Sequence, residues 1–202
     1  MARRATLEST TRDRLLKAAM DVFADRGYHG STVDDIVAAS ETSKGAFYHY
    51  FPSKQGIFLN LLDRLGGMVE AGVEAAIDQE QGALAKVEAA LRVVLEVASA
   101  QRDLARILLI EAAALGPEFE QGRLGIHRRF AALIHRHLDR AVGEGAIPAQ
   151  DTHAAGMAWI GAINEVVTQQ LAGGGDLMVT LPALRTLLLR SIGARVSDDP
   201  AA

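Results

Sequence analysis

The sequence predicts an all-α protein: an N-terminal three-helix helix-turn-helix domain followed by a larger C-terminal helical domain. Three observations carry this. Apolar residues recur at helical spacing in segment after segment from about residue 11 to about residue 192. β-branched alternation is scarce and there are only five prolines in 202 residues, so strands have little support. Finally, the stretch Ser31–Phe51, STVDDIVAASETSKGAFYHYF, holds two short helical patterns separated by a tight polar break, the spacing of a helix-turn-helix.

The first of these two patterns opens at Thr32, an N-cap with Asp35 three residues on as the reciprocal acid of a capping box. Val33, Ile36 and Val37 give it one apolar face. Ser40-Glu41-Thr42-Ser43 breaks the pattern, and Thr42 or Ser43 can cap the second one. In that second pattern, Lys44–Tyr50, Ala46, Phe47 and Tyr50 can anchor inward. Ser43, Lys44, Tyr48 and His49 remain for solvent or a partner. A short helix with Gly45, a cation and two hydrogen-bonding aromatics suits close approach to a phosphate backbone and groove edges.

A brace is expected before this pair: a helix from about Thr11 to Arg26, capped by Thr10 with Asp13. Its buried stripe is Leu15, Ala18, Ala19, Val22 and Phe23, and Gly27 is its left-handed stop. Arg3 and Arg4 then lie on a short arm, either a solvated terminus or a minor-groove contact. After the motif, Ser53 is expected to cap a fourth helix to about Ile77. Gly66-Gly67 marks a weak point where that helix can bend, since glycine costs roughly 1 kcal/mol in a helix interior. Lys54, in its first turn, can face a phosphate.

The run TSKGAFYHYFPSK, with TVDDIVAAS and the helix before it, resembles the signature of TetR-family transcriptional regulators. The resemblance covers the N-terminal quarter, and the chain's length and helical reading agree with it. Glu41 departs from the pattern, which has a small residue, often glycine, in the turn. Its carboxylate is repelled by phosphates, so the turn is expected to sit slightly back from DNA. The resemblance implies a homodimeric regulator, a repressor on a palindromic double-stranded DNA operator, released by a small apolar or amphipathic effector. The expected DNA-contacting set is Thr32, Thr42, Ser43, Lys44, Gly45, Ala46, Tyr48, His49 and Lys54. The expected limits are 1–52 for the DNA-binding domain, 53–195 for the effector-binding and dimerisation domain, and 196–202 for a disordered tail.

Composition narrows the alternatives. The net charge is −4, but its distribution matters more than its sum. Residues 1–54 hold eight Arg/Lys against seven Asp/Glu, a surplus of one that leaves −5 for the rest. Non-specific DNA affinity should therefore be modest and strongly salt-sensitive. No cysteine is present, which excludes disulfides and thiolate chemistry and fits a reducing cytoplasm. The basic N-terminus leads into a polar run rather than an apolar one, and the longest strongly apolar run is too short to span a bilayer. A cytoplasmic protein without membrane contact is expected.

The remaining helices are expected at Ala83–Ala100, Leu104–Leu115, Glu118–Val142, from Asp151 to about Leu171, and Leu181–Ile192. The segment Ala154–Leu171 is apolar on almost every side and must be covered on every side. One face can pack on its own domain while the other meets a second copy, giving a four-helix interface with the last helix. Trp159, Ile163, Val167, Leu184 and Leu188 are the expected interface residues.

Nothing points to catalysis. His135 and His137 lie on different sides of their helix and cannot share an ion. No HExxH, GxSxG or P-loop spacing occurs, so no catalytic residue, cofactor or metal is expected. Glu111 and Glu165, carboxylates within apolar stretches, must pair, reach solvent or face a wet cavity. The last case gives an expected effector pocket of Glu111, His127, Trp159, Asn164 and Glu165. The competing reading is a helical small-molecule carrier or enzyme with a vestigial DNA-binding motif.

Overall fold

The computed structural model describes residues 2–111 and 115–194, with side chains described from residue 11 onward. The expected tail at 196–202 lies outside them, as does part of the helix expected at 104–115. Among the described residues there is no strand. The helices are α1 (Ala2–Gly30), α2 (Val33–Ala39), α3 (Lys44–Tyr50), α4 (Lys54–Gln79), α5 (Ala83–Ala100) and α6 (Arg102–Arg106), which continues as a π-helical turn over Ile107–Glu111. They are followed by α7 (Pro117–Gly143), α8 (Thr152–Gly173), a 3₁₀ turn at Leu177–Thr180 and α9 (Leu181–Ser191). Two compact units result, one of residues 1–65 with 101–122 and one of 66–100 with the remainder.

The first unit is built on α1. Its stripe of Leu15, Leu16, Ala19 and Phe23 is fully buried with Ile36, Phe47, Ile57 and Phe58. Phe23, Tyr28, Phe58 and Phe119 form an aromatic cluster with ring centroids 4.9–5.8 Å apart, which fixes the end of α1 through edge-to-face contacts. Packing places 101–122 here, whereas the sequence limits put it beyond residue 53. The reason is concrete: α6 packs on α1, and Leu104, Ile107 and Phe119 are core residues.

Two local expectations change. The helix begins at Ala2 and runs through Thr10, so neither a cap at Thr10 nor a separate N-terminal arm is present. Asp13 instead accepts a 2.7 Å ion-pair hydrogen bond from Arg64 Nη1. Gly27 does break α1, with φ of 69°, and a further helical turn reaches Gly30. The α4 helix runs through Gly66-Gly67 without interruption. A Cβ at Gly66 would lie 2.7 Å from Arg129 Nη2 and 3.4 Å from Ile126, so this glycine admits α7 at close range.

The second unit packs α4, α5 and α7 around Val73, Ile77 and Leu133. On its other side α9 lies against α5, and Arg185 of α9 donates to Glu88 at 2.8 Å. Asp151 caps α8 by accepting from the Ala154 N–H, and Gly174 ends it in the left-handed conformation, as that conformation favours. Gly156 marks the tightest approach of α7 and α8: a Cβ there would sit 2.8 Å from the Ala131 carbonyl oxygen. Overpacking of this kind costs about 1–3 kcal/mol, while alanine adds roughly 1 kcal/mol to a helix interior. Gly156→Ala is therefore expected to lower the urea midpoint, and Gly156→Val to lower it further.

Candidate nucleic-acid interface

The reading helix is held from three directions. Thr32 caps α2 as expected. Its hydroxyl accepts from the Asp35 N–H at 3.1 Å, and its own N–H donates to Asp35 Oδ2 at 2.8 Å. The Thr32 hydroxyl in turn donates to Asp35 Oδ2 at 2.6 Å; this bond first, then the Thr32 N–H and Arg26 at 2.7 Å, hold the Asp35 carboxyl below the usual carboxylate range. Ser43, not Thr42, caps α3, accepting from the Ala46 N–H at 3.1 Å. Thr42 turns back into the break, 2.8 Å from the Ser40 hydroxyl. Phe47 and Phe51 are buried, so α3 is pinned by one face.

The opposite face is open. Tyr48 is 55% exposed, and Ser43, Lys44, Gly45 and His49 are exposed beside it, with Ala46 half-buried. Gly45 lacks nothing inside the chain, since a Cβ there would meet only Ser43 Oγ at an ordinary 3.7 Å. Nothing in its own chain requires the position to be small.

The structure adds three residues to this picture that spacing did not single out. Arg14 of α1 donates to the carbonyls of Ser40 (2.5 Å) and Glu41 (3.0 Å), tying the turn to the brace. Tyr28 offers its carbonyl and ring to Lys54. Asp34 holds Lys44 through a 2.7 Å ion pair, which raises the lysine's pKa above its ordinary value. None of these contacts has a sequence signal, because each joins residues at least ten apart across a break.

Lys54, expected at a phosphate, has partners inside the chain. Its ammonium donates to the carbonyls of Tyr28 (2.6 Å) and Ser31 (2.8 Å) and sits 4.2 Å from the Tyr28 ring centroid. Burial pushes its pKa down. Two of its three N–H groups thus close the turn after α1, and one is left for a phosphate.

Glu41 is the only described non-glycine residue with positive φ, at 51°. Left-handed backbone costs an L-residue about 1–2 kcal/mol, and its exposed pairing with Arg14 at 3.6 Å returns little. Glu41→Gly is therefore expected to raise the thermal midpoint. It also removes a carboxylate from the surface that would face phosphates.

The expected pocket residues are not brought together as a set. His127 Nε2 and the Asn164 amide are 3.0 Å apart, with Arg123 at 3.3 Å from His127 Nδ1. Trp159 instead donates to Ser191 Oγ at 3.0 Å, Glu165 is on the exposed side and accepts from Gln169, and Glu111 pairs with Arg106 at 3.7 Å within the first unit.

The expected dimer residues require correction. Trp159, Ile163, Val167, Leu184 and Leu188 are all buried within their own chain, at 2–8% exposure, so they belong to its core rather than to its open face. The outward side of α8 carries Ala154, Met157, Ala158, Gly161 and Glu165, and that of α9 carries Ala183 and Leu187. Trp159, Ile163 and Val167 turn inward while Ala154, Met157, Ala158 and Gly161 turn outward, a choice that an all-apolar helix does not reveal by period. Among the described residues no helix is long and apolar enough to cross a membrane, and no cluster suits a metal ion.

Comparison with known proteins identifies the arrangement. Residues 15–61 match the family described as bacterial regulatory proteins, tetR family, and residues 80–168 match the tetracyclin repressor-like C-terminal domain. The HTH-type transcriptional activator FasR of Mycolicibacterium smegmatis is 39% identical over 82 residues, 39% of this chain and 37% of that protein. The HTH-type transcriptional regulator RutR of Escherichia coli is 27% identical over 115 residues, 57% of this chain and 54% of that one. The chain thus spans about a third to a half of these relatives. Among solved structures, the fatty acid degradation regulator FadR of Bacillus halodurans superposes with a TM-score of 0.78 at 22% identity, covering 88% of this chain and 97% of that one. FadR of Bacillus subtilis, in complex with stearoyl-CoA, gives 0.77 at 24% identity, covering 89% and 98%. With a capped, outward-facing reading helix on a three-helix brace and both halves matched, this chain belongs to the TetR family of DNA-binding transcriptional regulators.

Proposed function

We propose that the protein is a cytoplasmic homodimeric repressor that binds a roughly palindromic duplex operator and is released by a small apolar or amphipathic effector. The observation that carries this reading is α3 itself: Phe47 is wholly buried while Tyr48, Lys44 and His49 stand exposed on the other side. In this reading Lys44 and Ser43 meet phosphates, and Tyr48 and His49 meet phosphates or base edges. Lys54 both closes the turn after α1 and offers its remaining N–H to a phosphate. Two copies joined through α8 and α9 would present two such helices to successive major grooves.

The effector reading draws on the second unit. His127 and Asn164, with Arg123 beside His127, bring polar groups together between α7 and α8, the kind of group that orients an amphipathic ligand. The stearoyl-CoA held by FadR of Bacillus subtilis makes a long-chain acyl thioester a sensible first probe. An effector acts only by its difference in affinity for two conformations, so a thermal shift without loss of DNA binding would count against release. The relative FasR is named an activator, which favours activation as the second reading. A promoter fusion assayed with and without the protein gives opposite signs for the two.

Fluorescence anisotropy with duplexes from the DNA flanking the gene tests the central reading. At about 50 mM salt, where phosphate contacts are least screened, the wild type should bind one duplex in preference to a scrambled one. The double variant Lys44→Ala, Tyr48→Ala should not. Failure of the wild type to bind any duplex would transfer the weight to the carrier or enzyme reading.

A further inference from the structure

The acids of the helix-turn-helix are each matched with a cation, and one match is unlike the others. Asp35 takes Arg26 at 2.7 Å and Glu41 takes Arg14 at 3.6 Å, both cations coming from α1, behind the reading surface. Asp34 takes Lys44 at 2.7 Å, the first residue of α3 and a member of that surface. Both partners of this pair are exposed, at 62% and 65%. Asp34 also plays no part in the α2 capping box, which uses Asp35.

We propose that Asp34 competes with DNA phosphate for the Lys44 ammonium, so that the free protein shields its own phosphate contact and binds duplexes more weakly than its cations allow. This rests on the DNA-binding reading above. In the free protein the ion pair is made; on the duplex the phosphate must take over the ammonium, and the released carboxylate is left facing a polyanion. The exchange has two measurable consequences. An exposed ion pair of this type is worth a factor of about 1.5–5 in an equilibrium constant, and two reading helices per dimer square that to about 2–25. The released carboxylate also gathers a cation as the duplex loses one. The salt dependence of binding is therefore shallower than the number of phosphate contacts implies, by about one unit of slope per head.

A lysine–phosphate contact reports no base identity. Asp34 accordingly lowers affinity for operator and random duplex alike, limiting retention on non-operator DNA without altering sequence preference.

The test is a double-mutant cycle read by anisotropy over a range of salt, using the full chain with an operator duplex and a random duplex. Asp34→Asn should tighten both by a similar factor, about 2–25, and steepen the plot of log affinity against log salt. In a Lys44→Gln background the same substitution should have a much smaller effect. If Asp34→Asn tightens binding equally in both backgrounds, its carboxylate acts as a general charge and the competition is overturned. Unchanged affinity and slope overturn it as well. Because Asp34 lies in the first turn of α2, thermal melts and a second variant, Asp34→Ser, separate a change in binding from a loss of fold. Wild-type protein that binds neither duplex at low salt defeats the DNA-binding reading itself, a result distinguishable from both of the others.

Discussion

Phe47→Ala is expected to abolish operator binding although its ring faces away from the reading surface, whereas Tyr48→Ala should weaken binding and leave the fold intact. The two aromatics are neighbours on α3, with ring centroids 5.3 Å apart, yet they belong to different surfaces. Phe47 is fully buried and also lies 6.0 Å from the Phe51 ring. Removing a buried phenylalanine costs about 3–5 kcal/mol, a large share of the roughly 5–15 kcal/mol that holds a typical domain together. The seven residues of α3 cannot hold a helix alone, because isolated helices of that length are not stable in water. Without the Phe47 anchor the reading helix loses its place on α1 and α2. Tyr48 is more than half exposed, so its truncation should move stability by no more than about 0.5 kcal/mol. If the tyrosine meets a base edge, the loss is selective, about 1–3 kcal/mol against the operator and little against random duplex. If it meets phosphate, both duplexes lose alike. Urea titration and anisotropy on the two variants check all of this. Equal stability of the two proteins would show that α3 is not seated as described.

That division is legible in the sequence only in part. The capping box at Thr32 and Asp35 can be read because it is local: both bonds lie within four residues, and their geometry follows from residue type. The burial of Phe47 follows from helical period. The positions of Lys54 and Lys44 do not follow from anything local. Their partners are the carbonyls of Tyr28 and Ser31 and the carboxylate of Asp34, groups that come near only after α4 has packed by the end of α1 and α3 by α2. The same limit explains α8. Its period is flat, so a helix apolar all round is legible and its inward side is not. The contact of Gly156 with the Ala131 carbonyl and the bond from Trp159 to Ser191 show which side faces the chain's own core. Residues 101–122 escape the sequence limits for a related cause. Their assignment to the first unit depends on Phe119 entering the aromatic cluster around Tyr28, a contact between residues 91 positions apart in the chain.

Gly161→Arg is expected to give a monomer with a folded chain and greatly reduced operator affinity. Gly161 lies on the outward side of α8, and a Cβ added there would meet nothing of its own chain within 4 Å, so the chain itself has room for a side chain. Arginine is also a better helix former than glycine by somewhat less than 1 kcal/mol, so the substitution should not damage the isolated subunit. Its neighbours on that side are Ala154, Ala158 and the 55%-exposed Met157, with Leu187 on α9 exposed to the same degree. Small residues flanked by apolar ones allow two helices to approach closely, and if the second copy proposed above packs here, a guanidinium would have to be buried without a partner, at a cost of several kcal/mol. A two-fold axis brings each change face to face with its copy or near it, so the penalty is incurred twice. Sedimentation equilibrium should therefore show a dimer for the wild type and a monomer for Gly161→Arg at micromolar concentration, with unchanged helical circular dichroism. Operator affinity then falls because the two heads no longer act as one ligand. Linkage of two binding modules is worth about 10²–10⁴ in affinity, and that factor should vanish while the α3 surface stays intact. The control is Gly156→Val on the inward side of the same helix, which should lower stability first and change the oligomeric state only through unfolding. A Gly161→Arg protein that remains dimeric would move the subunit contact away from α8.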